Sequence, residues 1–179
     1  MKTKKIIVFD FDKTLTKEDT LFGFFVFAGN KDFYFYFKVI YYVFLMILTK
    51  VKWLENRKLK SKGIKLFLSK LNKETLNFKF KNYHKKIQFN SLYSDLEYEE
   101  DTKYYVLSGS FQEYIRPIFP NFVTVFGSTI KYKNDVANDL LINCYKENKV
   151  RLLKGNNIEV IGTFYTDSIS DFEVAKIAK

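Results

Sequence analysis

The stretch Ile6-Ile7-Val8-Phe9-Asp10-Phe11-Asp12-Lys13-Thr14-Leu15-Thr16 decides how the rest of the chain is read. Its first four residues are apolar, largely β-branched and do not alternate. That pattern suits a strand buried on both faces of a parallel sheet. The strand breaks off at Asp10, where two carboxylates follow within three residues.

Working outward, the same grammar returns. Tyr104-Tyr105-Val106-Leu107 reads as a second buried strand ending at Ser108-Gly109-Ser110. A helical stretch from Phe111 to Arg116 stops at Pro117. Phe122 to Phe126 reads as a third strand, and Lys146 to Lys154 as a helix closed by Gly155. Ile158 to Tyr165 reads as a fourth strand, running into Thr166-Asp167-Ser168-Ile169-Ser170-Asp171. Strands alternating with helices predict an α/β fold with a parallel sheet. In such sheets the carboxyl ends of the strands line the ligand crevice. Asp10 and Asp12, Ser108 and Gly109, and Asp167 and Asp171 are therefore expected to converge. Carboxylates brought that close repel one another unless a cation neutralises them. An oxygen-rich site without His or Cys suits Mg²⁺.

Between the first two strands the texture differs. Leu21 to Leu48 is rich in aromatics, and Phe33 to Leu48 carries one charge, Lys38. Gly29-Asn30 divides the run, so two helices are expected, the first ending near Gly29. The second block falls short of the ~20 apolar residues of a membrane span. A helical lobe packed on itself is the first reading, and an interfacial membrane contact or lipid-facing groove the second. From Lys50 to Lys86 there are thirteen Lys/Arg against Glu55 and Glu74, a net of +11. Such a run is either a solvated helical face or an attractor of an anionic substrate or anionic lipid headgroups. No nucleic-acid-binding pattern organises the aromatics.

Composition removes other classes. The 179 residues suit one domain with a small inserted lobe. Twenty Phe and 13 Tyr exclude a disordered chain. The single Cys144 excludes an internal disulfide and a Cys-rich zinc site, and is expected to be a buried structural thiol. The single His84 excludes a His-cluster metal site and weakens any Ser-His-Asp arrangement. The basic start Met1–Lys5 is followed by an apolar run that Asp10 cuts short, unlike a secretory leader, so the cytoplasm is expected.

Four ordered motifs give the chain a resemblance to the haloacid dehalogenase-like phosphatase superfamily, over nearly its whole length. Asp10-Phe11-Asp12-Lys13-Thr14 matches Asp-x-Asp-x-Thr, and Val106-Leu107-Ser108-Gly109 matches a strand ending in Ser or Thr. Lys149 matches a lysine opening a helix, and Asp167-Ser168-Ile169-Ser170-Asp171 matches the acidic last motif. Thr16 to Leu21, followed by a helical insertion, resembles the phosphoserine-phosphatase-like branch. The resemblance implies a Rossmann-like core over residues 1–16 and 93–179, with residues 17–92 as a helical cap.

It also implies roles. Asp10 would be the nucleophile that forms an aspartyl-phosphate. Asp12 would act as acid and then base, since in extended chain it shares a face with Asp10. Ser108, the Gly109 N–H and Lys149 would hold phosphate. Asp10, the Asp12 carbonyl and Asp167 would hold Mg²⁺, with Asp171 in support. Lys146 and Lys154 compete with Lys149, and Asp171 could instead cap a helix. Asp19 would contact substrate or merely cap the first cap helix. Thr166 departs from the Gly many relatives carry there. The implied substrate is a small phosphomonoester: phosphoserine-like, an amino-alcohol phosphate or a polyol phosphate. Alternatives are a lipid or polyprenyl phosphate at the inner membrane surface, phosphotransfer to another acceptor, and a vestigial binding protein. The short run after Asp171 raises the expectation of a covered sheet edge and a homodimer.

Overall fold

A computed structural model describes residues 5–179; the first four residues of the basic start lie outside the described residues. Strand β1 (Lys5–Phe9) is followed by the helices α1 (Thr20–Ala28), α2 (Phe35–Lys50), α3 (Asn56–Gly63), α4 (Lys73–Tyr83) and short α5 (Ser91–Ser94). A π-helical turn, Ile64–Leu68, extends α3. Then come β2 (Thr102–Phe111), α6 (Gln112–Ile115), β3 (Thr124–Lys133), β4 (Val136–Ile142), α7 (Glu147–Gly155), β5 (Thr163–Tyr165) and α8 (Phe172–Ala175).

Among the described residues these strands form one sheet in the order β4-β3-β2-β1-β5. The four strands from β5 to β3 run parallel, and β4 adds an antiparallel edge. The α/β expectation thus stands. β1 is central and covered on both faces: Ile7 and Phe9 face the larger core, Val8 the smaller one with Leu107, Cys144 and Leu153. Cys144 is buried, as expected, and burial pushes its thiol up to about 12.

Several boundaries differ from the sequence reading. β2 continues through Ser108-Gly109-Ser110 to Phe111. The third strand begins at Thr124 and runs to Lys133, into a hairpin whose turn residues Asn134 and Asp135 both have positive φ. The returning strand β4 was not anticipated. β5 is three residues long because Ile158 and Ile161 serve the core from a loop. The Ile158 amide bonds back to Leu153, and the Gly162 amide to Ile6. The α7 stop lies beyond Gly155, which is the last helical residue; Asn157 takes the left-handed conformation.

The α1–α5 segment forms a helical layer packed into the larger core and against β4. Its aromatic residues meet those of β2 and α6: Phe24 packs against Phe80, Phe111 and Tyr114. Full burial of each such ring is worth about 2–3 kcal/mol. α1 ends where expected, with Gly29 as its C-cap. The chain leaves and re-enters this layer side by side, Thr16 pairing with Phe89. No helix among the described residues is long and apolar enough to cross a membrane.

Candidate active site

Three strand ends and one helix meet at a pocket of about 200 Å³. Asp10 follows β1, Gly109 and Ser110 lie near the end of β2, Lys149 lies in the first turn of α7, and Asp167 and Asp171 follow β5. The convergence expected from strand ends is therefore present. Asp12 and Asp19 line the same pocket.

Lys149 is 3% exposed and bridges two carboxylates. Its ammonium donates to Asp10 Oδ1 at 2.8 Å and to Asp171 Oδ2 at 2.6 Å. Neither Lys146 nor Lys154 is buried this way. Burial opposes the Lys149 charge, but Asp10 and Asp171 outweigh it, and the ammonium is held above its ordinary range. Asp10 is pushed up to about 7, chiefly by burial and also by repulsion from Asp171 and Asp12, against the pull of Lys149. Asp171 opens α8 without capping it through its side chain. The Thr166 hydroxyl donates to Asp171 Oδ2, so the departure from Gly has a partner.

Asp12 is held by four donors. Oδ1 accepts from the Thr20 amide at 2.7 Å and hydroxyl at 2.6 Å. Oδ2 accepts from the hydroxyls of Ser108 at 3.1 Å and Ser110 at 2.6 Å. Ser108 is fully buried and does not line the pocket; its contact is with Asp12, and Gly109 and Ser110 form the wall instead. Thr14 joins the first and last motifs, because its hydroxyl accepts from the Asp167 amide at 3.0 Å. Asp19 caps α1, accepting from the Leu21 amide at 3.1 Å, and also lines the pocket.

Sequence reasoning missed Lys60. This α3 residue is 2% exposed, and its Nζ donates to the Gly109 carbonyl, to Ser128 Oγ at 3.1 Å and to Asn143 Oδ1 at 2.9 Å. Desolvation pulls its ammonium down to about 8. Thr20, Ser110 and Tyr114 were also missed; Tyr114 and Thr20 share a hydroxyl bond of 2.8 Å. Only Thr20 lies near Asp-x-Asp in the sequence; Ser110 and Tyr114 are brought to it from β2 and α6 by the fold.

Five aspartates and three lysines line the pocket, a formal charge of −2 before any ligand enters. As the side chains stand, no three acidic, His or Cys groups among the described residues form a ready metal cluster. The donor set nonetheless fits Mg²⁺ in kind: anionic oxygens with no sulfur or imidazole. Asp171 Oδ1 is buried without a hydrogen-bond partner, a free oxygen of the required type.

Comparison with known proteins agrees with this frame. A family profile described as haloacid dehalogenase-like hydrolase matches residues 7–176. A search of curated proteins finds no significant match. Among solved structures, a protein of unknown function from Bordetella pertussis Tohama I superposes with a TM-score of 0.79 at 16% identity. That match covers 97% of this chain and 86% of the other. Phosphoserine phosphatase from T. onnurineus gives 0.63 at 17% identity, covering 98% and 82%. A phosphoserine phosphatase in a phospho-aspartyl intermediate analogue gives 0.59 at 18%, covering 99% and 84%. At these identities the likeness is one of fold.

Proposed function

The chain belongs to the haloacid dehalogenase-like hydrolases, and from that premise we propose that it hydrolyses a phosphomonoester through an aspartyl-phosphate. The observation that carries the reading is the meeting of Asp10, Asp12, Lys149 and Asp171 at one small pocket from three distant parts of the chain.

Asp10 attacks phosphorus through a carboxylate oxygen, and the bond from phosphorus to the substrate alkoxide breaks. Asp12 gives that alkoxide a proton, then takes one from the water that cleaves the acyl phosphate. Hydroxyls rotate, so Ser108, Ser110 and Thr20 can serve either protonation state of Asp12. The Gly109 N–H and Lys149 hold the phosphoryl oxygens, and Ser108 and Ser110 act by orienting Asp12. Asp10, the Asp12 carbonyl and Asp167 would hold Mg²⁺ with Asp171 in support, and the ion would neutralise phosphoryl charge. Residues 17–92 act as the cap, since Asp19, Leu21, Asn56 and Lys60 from this segment line the pocket of the 1–16 and 93–179 core.

The pocket admits a phosphoryl group and a few further heavy atoms, which suits a small phosphorylated metabolite. A lipid or polyprenyl phosphate is the second reading, favoured by the exposed aromatic face of α2. Phosphate release from a broad phosphomonoester panel, with Mg²⁺ and with EDTA, tests the reaction. Asp10→Asn should lower turnover by at least 10³-fold with an unchanged melting temperature. Turnover near wild type in that variant would remove Asp10 from the nucleophile role.

A further inference from the structure

Helix α2 has two apolar faces, and the protein uses only one of them. Phe35, Tyr42 and Leu45 are buried, and Tyr42 packs against Phe25 and Phe67. On the opposite side Tyr36, Phe37, Ile40, Phe44 and Ile47 follow one another at helical spacing, and all are exposed, Tyr36 by 76% and Ile40 by 68%. No charged residue interrupts that stripe. The two lysines of the helix lie elsewhere: Lys38 is paired with Asp32 at 2.8 Å, and Lys50 sits in the last turn. A solvated helix normally places polar residues there, and a contiguous exposed apolar face of this kind marks an interaction site.

The surroundings of the stripe are basic. Lys31 lies before α2, Lys50 is its last residue, and Lys52, Lys58 and Lys62 follow it. Among nearby acids, Glu55 pairs with Lys58 at 3.4 Å, and Asp32 with Lys38. Lys31, Lys50, Lys52 and Lys62 make no salt bridge among the described residues. Between Lys52 and α3 stands Trp53, 84% exposed and the sole tryptophan of the chain. An apolar stripe flanked by unpaired lysines and an exposed Trp is the composition of a helix lying in a bilayer interface. At 16 residues α2 is about 24 Å long and cannot span. A second copy of the chain is a poor occupant, because it would bring a like-charged basic rim against this one.

We propose that the outer face of α2, with Trp53 and the adjoining lysines, docks the protein on an anionic lipid bilayer. Asn56, which lines the catalytic pocket, follows Trp53 by three residues, a reach of at most about 11 Å, so docking brings the pocket rim near the headgroups. The docking does not depend on the catalytic assignment. It is tested by binding alone, in wild type and in Asp10→Asn.

The experiment is co-sedimentation of the full chain with vesicles of phosphatidylcholine, with and without one-third phosphatidylglycerol, together with Trp53 emission. Wild type and Asp10→Asn should pellet with the anionic vesicles at least tenfold more than with neutral ones, with a blue shift of Trp53. Phe37→Glu/Phe44→Glu should abolish both signals, and Lys50→Glu/Lys52→Glu should weaken binding at least tenfold. Both pairs are exposed, so unchanged far-ultraviolet circular dichroism is the folding control. Wild type left in the supernatant with unshifted emission would overturn the proposal. So would a concentration-dependent dimer that Phe37→Glu/Phe44→Glu dissociates while vesicles fail to bind, since a second copy would then own the face.

Discussion

At the scale of single residues, Lys60 keeps an ammonium among neutral oxygens only: the Gly109 carbonyl, Ser128 Oγ and Asn143 Oδ1. Its folded pKa of about 8 lies below the ordinary value of 10.5. The unfolded chain therefore binds this proton more tightly between those two values, and the Lys60 contribution to stability must rise as pH rises through that window. At about 1.4 kcal/mol per unit, the full rise is about 3 kcal/mol. Chemical denaturation of wild type and Lys60→Met at pH 7.5 and 10.5 isolates it, because other titrations cancel in the difference. A difference that stays constant would mean that the ammonium is not desolvated in the folded protein. Nothing in the sequence singles this lysine out from the thirteen basic residues between positions 50 and 86. By contrast Asp10, Asp12, Asp167 and Asp171 were legible, because carboxylates that end apolar strands have few other uses. Lys149 was legible only through motif order. The contact of Ser108 with Asp12 was hidden, since β2 runs further than its apolar residues suggest and, two residues apart on one face, Ser108 and Ser110 both reach the same carboxylate oxygen.

At the scale of elements, the parallel core strands announced themselves by uninterrupted apolar runs, whereas the edge did not. β4 carries Asn138 and Asp139 within seven residues and is half-solvated, so its pattern is weak. Its hairpin depends on positive φ at Asn134 and Asp135, a signal confined to two residues. The junction that matters most for the site is β3 against the β2–α6 turn. A Cβ on Gly127 would lie 2.7 Å from the Gln112 amide nitrogen and 2.8 Å from the Ser110 carbonyl oxygen. Both are backbone atoms and cannot swing away. Gly127→Ala should therefore cost about 1–3 kcal/mol and displace Ser110, lowering kcat/KM as well as the melting temperature. Gly155→Ala is the matched control: open space surrounds a Cβ there, and Ala favours helix by up to about 1 kcal/mol. Equal melting temperatures for the two variants would show that β3 can move away from the β2–α6 turn at no cost.

At the scale of the whole molecule, the charge distribution sets a problem that the chemistry must solve. The chain carries +10, and the segment from Lys50 to Lys86 alone carries +11, so the field drawing an anion inward comes from the α3–α4 region. The pocket itself is different, with five aspartates against three lysines. A phosphate dianion arriving there meets a net negative wall unless a cation arrives with it. Phosphate and Mg²⁺ are therefore expected to bind cooperatively, each lowering the cost of the other. Thermal unfolding gives a readout independent of turnover. Mg²⁺ at a hundredfold excess over its Kd should stabilise the fold by about 2.7 kcal/mol, or roughly 5–10 °C for a domain of this size. Inorganic phosphate alone should shift the transition little, and phosphate with Mg²⁺ should shift it beyond Mg²⁺ alone. Asp167→Asn should lose most of the Mg²⁺ shift, and with it the phosphate response. If phosphate stabilises wild type equally in EDTA, Lys149 and Lys60 suffice to neutralise it, and the carboxylates of this pocket do not work through a divalent ion.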